Sequence, residues 1–469
     1  MKVEFQDIYQ YKLLNMVDIP AVFKIKEVTE KIVRSKAEPT GESFIIDYRD
    51  WKKTQRKSKV YKIPLEFCFF RTDNGRIMTE VLSYQTNTGS LDDHNDENVQ
   101  KIISDFLGKK DQDKNNELKL NLKKDGQIEP AIITADGLLI NGNRRKWALE
   151  SLYKSNPGDE FKYLKVVILP GTDEPAIRPT IRDIALLENR LQFQKMGKSE
   201  YTAMDKALKL LQNEKSGIPL EEMLQDDPIF SGKNEKDFKK AVQNYRTEFL
   251  EPITLMDEYL SMNKIKGDYN RLERKYSAFQ DLNTRIVSQL SSPKILATYN
   301  IEENDIGLIK ASSYNIIKMR DHSELEQRTH MLMRDVFKWI SADKKEFLKI
   351  GKIEDPSDDI ADPDERFEKW NDKNNDKILN SLKKLRGIYE RKKDQQNPIV
   401  KLELALKHLT SPDLDFDQCK KMKPDDIKEA LLLANKIQAE ADHLTSMFYY
   451  IDTDDDFKLE ELIKNYKNR

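Results

Sequence analysis

The passage from a short apolar run into a helix, in ADGLLINGNRRKWALESLY at residues 135–153, constrains the fold of this chain most. Residues 138–140 are typical of a buried strand, and the Asn-Gly pair after them is typical of a turn. An Asp-Gly turn predicts that this strand pairs with the apolar run before it as a hairpin. We expect Asn143 to cap the helix that follows. Because a helix N-terminus presents unpaired backbone N–H groups, the adjacent Arg144 and Arg145 predict a site for an anion.

Strand-like and helix-like segments alternate on both sides of this hairpin, which predicts a compact α/β domain. The charged stretch at residues 109–126 is expected to be a loop, and helical periodicity dominates from Ser199 onward. An acidic segment with two prolines indicates a linker. We therefore divide the chain into an N-terminal extension (1–58), the α/β domain (59–195), two helical regions (196–285 and 286–351), the acidic linker (352–377) and a C-terminal helical domain (378–469).

The composition limits the class of protein. Of 469 residues, 35% are charged and 38% are hydrophobic, and the net charge is −2, which describes a soluble, helix-rich chain rather than a polycation. No apolar run could span a bilayer and no signal-peptide core is present, so we expect a cytoplasmic protein without membrane contact. Cys68 and Cys419 are isolated and the five histidines are scattered, so zinc sites and thiol chemistry are not supported.

Three separated segments follow one another along the chain, IPLEFCFFRTDNGR (63–76), LKKDGQIEPAIITADGLLINGNRRKWALESLY (122–153) and LLENRLQFQKMGKSEYTAMDKALKLL (186–211). In this order they resemble the ParB/sulfiredoxin-like superfamily. The first segment looks like the opening strand of that family and its Asn-x-Arg turn. The segment at 122–153 is similar to the one that holds the phosphate-binding "GERR"-type motif, and the segment at 186–211 looks like the "ENxQR" helix and the helix after it. The resemblance covers about residues 60–213 and implies an α+β fold: a small mixed α/β ParB/sulfiredoxin-like domain followed by a mostly α-helical remainder.

The resemblance also implies a ligand, a nucleoside triphosphate that is CTP in relatives, lying over the start of the helix after the hairpin. Glycine at 142 would let the backbone approach the phosphates. Arginine suits phosphate because its planar fork can bond two oxygens. By correspondence with relatives, the nucleotide-binding residues would be Arg76, Gln127, Glu129, Pro130, Gly142, Asn143, Arg144 and Arg145, and a Mg²⁺ ion would be held by Glu188 and Asn189.

Two departures from the family pattern bear on chemistry. Asn143 stands where kinase-like relatives have an acidic residue, and an amide cannot act as a general base. The reactive cysteine of sulfiredoxins is absent from the second segment. The resemblance therefore implies no catalytic residue and at most a slow NTPase.

In partition-type relatives a helix-turn-helix follows the nucleotide domain, and residues 217–246 are the candidate here. Between Ser231 and Thr247 five basic residues oppose two acidic ones. The residues expected to contact DNA phosphates and base edges are Lys233, Asn234, Lys236, Lys240 and Asn244. An ordinary amphipathic helix with Phe238, Ala241, Val242 and Tyr245 as its core stripe fits equally well.

A second basic segment, WKKTQRKSKVYK at residues 51–62, is either a nucleic-acid contact or a solvated approach to a strand. The leading hypothesis is a ParB-like protein that binds DNA or a partner in a nucleotide-dependent way, in partition, mobile-element or phage-defence systems. The rivals are a ParB-like nuclease or phosphotransferase, and a helical adaptor whose domain no longer binds nucleotide. A second copy of the chain, and a protein partner for the C-terminal domain, are further expected partners.

Overall fold

The chain divides into two compact units, Met1–Tyr389 and Glu390–Arg469, in a computed structural model. None of the helices in the described part combines the length and the apolar character that crossing a membrane requires. The residues that the structure describes are 26–46, 57–175, 178–193, 201–225, 227–320, 323–355, 360–411, 416–453 and 458.

A five-stranded sheet organises the first part of unit one. In sheet order the strands are β1-β2-β5-β3-β4; β3 and β5 are parallel, and the other neighbours are antiparallel. The predicted hairpin is confirmed, because β3 pairs with β4. The bounds are β1 Glu38–Ile45, β2 Lys57–Pro64, β3 Ala131–Ile133, β4 Leu139–Asn141 and β5 Tyr163–Ile168.

Helices cover both faces of this sheet, and strand alternation assigns side chains to two cores. Ala131 and Ile133 lie in a core with residues of the helices on one face, whereas Ile132 lies in a core with Ile184 and Leu187 on the other face. The helices of this part are α1 Glu27–Lys36, α2 Met78–Asn87, α3 Glu97–Lys109, α4 Gln112–Asp125, α5 Asn143–Ser155 and α6 Ile181–Phe193. The mixed α/β character that the sequence predicts is therefore present.

Helix α4 replaces the loop that the charged stretch predicts. Asn115 and Leu122 are buried and Leu118 packs beside them, at a spacing that places all three on one face. The rest of the helix is polar because it faces solvent, which hides the periodicity in the sequence. Gly126, with a φ of 68° and a ψ of −167°, ends the helix in a conformation that is essentially restricted to glycine.

Part of the predicted N-terminal extension belongs to the sheet. Strand β1 pairs with β2, and α1 buries Val33 in the core. The strand is an edge strand with Pro39 and Gly41 in it and exposed residues along it, so its apolar signal is weak. Residues 1–25 and 47–56 of the predicted extension lie outside the described residues.

The remainder of unit one is helical and has its own large core. The helices are α7 Ala203–Lys215, α8 Leu220–Leu224, α9 Glu235–Tyr245, α10 Glu251–Met262, α11 Tyr276–Arg285, α12 Pro293–Thr298, α13 Glu303–Lys318, α14 Thr329–Arg334 and α15 Val336–Gly351. Met78, Leu82 and Ala185, from α2 and α6, lie in this core as well. The sheet part and the helical part of unit one therefore share apolar packing.

The predicted acidic linker is helical in its second half. Helix α16 runs over Pro363–Leu409, and its Trp370 is 1% exposed in the core of unit one. Most charged residues of this part of the helix are exposed, with Arg366 as a buried exception. The charge that predicts a linker therefore belongs to the exposed side of a packed helix. The rest of unit two contains α17 Phe416–Cys419 and α18 Pro424–Asp452, which exposes Leu431, Leu432 and Leu433.

Candidate functional site

The turn RTDNGR, at Arg71–Arg76, lies beside the hairpin. A parallel bridge joins Phe69 to Leu138, with the Phe69 N–H donating to the Gly137 carbonyl at 2.8 Å. The side chain of Gln100 in α3 fixes the next residue, because its amide bonds both the N–H of Phe70 (2.8 Å) and the carbonyl of Phe70 (2.9 Å). The sequence segments that resemble the first and second family blocks are thus brought together.

A buried ionic cluster joins this turn to α6 and α7. The guanidinium of Arg71, 2% exposed, donates to both carboxylate oxygens of Asp73 and lies 3.2 Å from Glu188. The ammonium of Lys209 donates to the Asp73 carbonyl at 2.6 Å and lies 3.5 Å from the same Glu188 oxygen. Burial acts to raise the pKa of Asp73, but the Arg71 and Lys209 charges outweigh it and hold that pKa far below its usual range. Asp73 is therefore ionised at any physiological pH.

Tyr201 fills the space between the turn and α6. Its hydroxyl donates to Glu188 at 3.3 Å, and the guanidinium of Arg76 lies 5.6 Å from its ring centre. Its ring is so close to Gly75 that a Cβ there would come within 2.3 Å of a ring carbon. Burial, together with the Glu188 charge, raises the pKa of Tyr201 well above its usual value, so the hydroxyl keeps its proton.

Two arginines from separate segments lie near each other at the edge of this cluster. Arg76 is 3.6 Å from the carboxylate of Asp111, and the Nε of Arg144 donates to the Oδ1 of Asn115 at 2.8 Å. Burial lowers the pKa of Arg144, and the charge of Arg76 lowers it further. Two guanidiniums that repel each other in a partly buried place attract an anion.

Several polar side-chain atoms at this site are buried and make no hydrogen bond within the described part of the chain. Folded proteins leave few such atoms, since each costs about 1–3 kcal/mol, and a bound ligand or water is the usual explanation. Glu188 still has its ion pairs. The atoms are Nδ2 of Asn74, Oδ1 of Asn143, Nη2 of Arg144, Oε2 of Glu188 and Nδ2 of Asn189.

The structure thus links Arg76, Arg144 and Glu188, which the sequence predicts from three different segments. Arg144 interacts with Arg76, Arg76 packs on Tyr201, and Tyr201 bonds Glu188. Asn143 and Asn189 contribute buried amides. Asn143 is not the helix cap that we expected: the cap position is Gly142, with a φ of 88° and no side-chain cap, and Asn143 is the first helical residue.

The other predicted nucleotide-binding residues make structural contacts. Arg145 donates to the backbone carbonyl of Glu129 at 2.5 Å and lies 3.8 Å from its carboxylate. Gln127 exchanges hydrogen bonds with the backbone of Lys165 in the central strand β5, at 2.7 Å each, so its amide serves the fold. A Cβ at Gly142 would come within 2.5 Å of the Ala131 side chain, so packing against β3 requires glycine there.

One of the two predicted magnesium ligands, Glu188, has cationic neighbours. Glu188 faces Arg71 and Lys209, as described above, and Asn189 is 6% exposed. Within the described ranges no three His, Cys, Asp or Glu side chains are grouped so that they could hold a metal ion. A magnesium ion would therefore need phosphate and water for most of its ligands, as it commonly does.

Sequence reasoning missed Arg71, Asp73, Tyr201 and Lys209. One signal existed: Lys209 lies among Leu208, Leu210 and Leu211 in a run where an amphipathic helix would place an apolar residue. It is 3% exposed, and a buried lysine without a nearby carboxylate would be unstable. Such a lysine predicts an acidic partner elsewhere in the chain.

The predicted DNA-contact helix is α9, and its apolar stripe faces the core. Val242 is buried, while Phe238, Ala241 and Tyr245 pack against the same core. Asn234 caps this helix by accepting from the N–H of Asp237 at 2.9 Å, so its amide is engaged. The other predicted residues, Lys233, Lys236, Lys240 and Asn244, are exposed.

The expected first helix of the DNA-binding motif is short: α8 has five residues, and a 3-10 turn at Pro228–Phe230 separates it from α9. In the basic segment at 51–62, residues 51–56 lie outside the described residues, and the others form β2, where Val60 is buried.

No family model, no curated protein and no solved structure matches this chain, so its function has to be inferred from the geometry of the site.

Proposed function

We propose that this protein binds a nucleoside triphosphate, CTP by its resemblance to ParB-like proteins, at the site between the RTDNGR turn, the start of α5 and α6. The observation that supports this most is the Nη2 of Arg144, buried with no hydrogen-bond partner in the described chain and close to a second guanidinium. Phosphate oxygens would supply the missing acceptor and neutralise the repulsion.

The amides at the site extend this argument. Asn74 and Asn189 each hold a buried Nδ2 that donates no hydrogen bond within the described residues, as required to bind phosphate or ribose oxygens. Gly75 keeps the turn closely packed against Tyr201. If Mg²⁺ accompanies the nucleotide, Glu188 and Asn189 would hold it through their side-chain oxygens or through its waters.

The proposed class is a nucleotide-gated binding protein rather than a fast enzyme. Asp73, the strongly ionised carboxylate, is engaged by Arg71 and Lys209, and Asn143 carries an amide where an acid would be needed. A nuclease would need clustered carboxylates around metal ions. The second proposal, nucleotide-dependent contact with DNA, rests on the exposed lysines of α9.

Isothermal titration calorimetry with CTP, ATP, GTP and UTP, each with and without Mg²⁺, tests the nucleotide proposal. We expect binding of at least one triphosphate, most tightly CTP, and dependence on Mg²⁺. Absence of heat and of thermal stabilisation with all four would refute the proposal and favour the adaptor.

Fluorescence anisotropy with duplex DNA at several salt concentrations tests the second proposal. Each phosphate contact should contribute about −0.9 to the slope of log affinity against log salt. The double variant Lys236→Ala/Lys240→Ala should flatten that slope by up to about two units. The matched control, Lys294→Ala/Lys345→Ala, removes two exposed lysines from other helices and should leave it unchanged. Equal effects of both pairs would contradict a specific role for α9.

A further inference from the structure

The connection between α3 and α4, Lys110–Asp111, lies next to Arg76 and Arg144, the two arginines of the proposed site. The Asp111 carboxylate lies 3.6 Å from Arg76. Asn115, 1% exposed, accepts from Arg144 at 2.8 Å, and its Nδ2 donates to the backbone carbonyl of Lys110 at 2.8 Å. The position of each arginine therefore depends on this one connection.

Asp111 adopts the left-handed backbone conformation, which is uncommon for residues other than glycine. Its φ is 54°, and aspartate and asparagine tolerate this region better than most residues because their short side chains can bond the local backbone. Backbone strain of this kind persists where surrounding contacts impose it, and it is concentrated at sites that change. The contact with Arg76 is one such constraint.

The neighbouring Lys110 ties the same connection to the helical part of unit one. Its ammonium donates to Asp205 of α7 at 2.5 Å and to Glu80 of α2 at 3.0 Å. Asp205 is 0% exposed and also accepts from the backbone N–H of Thr79 at 3.0 Å. Lys110 directly precedes Asp111 in the chain. A movement of Asp111 would therefore shift the Lys110 ammonium and disturb its contact with the start of α7.

We propose that Asp111 is a built-in anion that competes with the phosphates of the ligand for Arg76, and that its displacement is transmitted through Lys110 to α7. This rests on the proposed nucleotide site and names its regulation. A ligand phosphate and the Asp111 carboxylate cannot both lie against the same guanidinium without repelling each other, so binding drives Asp111 away. The left-handed backbone at Asp111 can then relax, which moves the Lys110 ammonium relative to Asp205.

The test compares Asp111→Asn with Asp113→Asn. Asparagine tolerates the left-handed backbone and removes the charge, so the fold is preserved. Asp113 is an exposed carboxylate in the same helix turn, and its replacement changes the net charge by the same amount. Calorimetry with CTP and Mg²⁺ should show that Asp111→Asn binds about two- to fivefold tighter than wild type. Asp113→Asn should bind like wild type.

Hydrogen exchange provides the second measurement, on the amides of α7. Ligand-free Asp111→Asn should already show part of the change that CTP causes in the wild type, and Asp113→Asn should not. If wild type binds CTP but the two variants bind equally, or if α7 in ligand-free Asp111→Asn exchanges as in the ligand-free wild type, the inference is overturned and the nucleotide site stands. If neither wild type nor Asp111→Asn binds any of the four triphosphates, both proposals fail.

Discussion

Replacing Arg144 by alanine should weaken triphosphate binding strongly while leaving the fold intact. In the free protein Arg144 makes a hydrogen bond from Nε to Asn115, and its Nη2 is buried without one. A charge-assisted contact to phosphate contributes about 1.5–3 kcal/mol. Since 1.4 kcal/mol is a tenfold change, the dissociation constant should rise by about 10- to 150-fold.

The effect on stability should be small because two contributions oppose each other. Loss of the charge-assisted bond to Asn115 costs about 1.5–3 kcal/mol. Removal of a guanidinium whose pKa is lowered by burial and by Arg76 relieves an unfavourable interaction. Urea unfolding of the ligand-free variant should therefore stay close to that of wild type.

Three comparisons make the assay decisive. Arg178→Ala removes an exposed arginine from the same part of the chain and should not change affinity. Arg144→Lys keeps the charge but loses the fork that bonds two oxygens, so its affinity should lie between those of wild type and Arg144→Ala. If folded Arg144→Ala binds CTP within twofold of wild type, Arg144 does not contact phosphate and the placement of the ligand is wrong.

Three further outcomes are expected. Asp205→Ala removes one of the two carboxylates that bond the Lys110 ammonium and leaves the buried N–H of Thr79 without an acceptor, so urea unfolding should show a loss of about 1–3 kcal/mol; a loss below 1 kcal/mol would contradict the importance of this ion pair. Burial raises the pKa of Asp257 from 3.8 to about 6, so the folded state keeps this proton to a higher pH than the unfolded state, and wild type should lose about 3 kcal/mol of stability as the pH rises from 3 to 7. Asp257→Asn should remove that part of the pH dependence, and an unchanged profile would show that the carboxyl titrates normally. Nucleotide turnover should be slow or undetectable by product analysis, and rapid product formation that Glu188→Ala abolishes would favour the enzyme instead.

The sequence predicts those parts of the fold where local chemistry and packing agree. The hairpin, α5, β5 and α6 have apolar runs of the right length with turn residues between them, and all are present. Strand β1 and helix α4 escaped prediction because an edge strand and a solvent-covered helix bury few residues. The linker prediction at 352–377 was based on charge and proline content. Composition of this kind does not show that Trp370 is buried in a core.

The site was predictable only in part, for a physical reason. Arg144 and Glu188 follow from motif resemblance, since each lies in a recognisable local segment. Lys209 belongs to the site because it contacts the turn at Asp73, which is far from it in the chain, and Tyr201 because it contacts Glu188. Neither contact is visible in the local sequence. Whether an arginine such as Arg145 faces a ligand or a neighbouring carbonyl depends on side-chain direction, which spacing in the sequence does not determine.

The packing of Met78, Leu82 and Ala185 into the core of the helical part has a consequence for how this protein can be divided. A fragment cut near residue 195 would uncover these apolar side chains and would separate Lys110 from Asp205. Unit one should accordingly melt as one cooperative block, with equal calorimetric and van't Hoff enthalpies for that transition. The sheet part would then fold only together with the helical part. It could not readily be transferred to another protein by recombination as an independent domain.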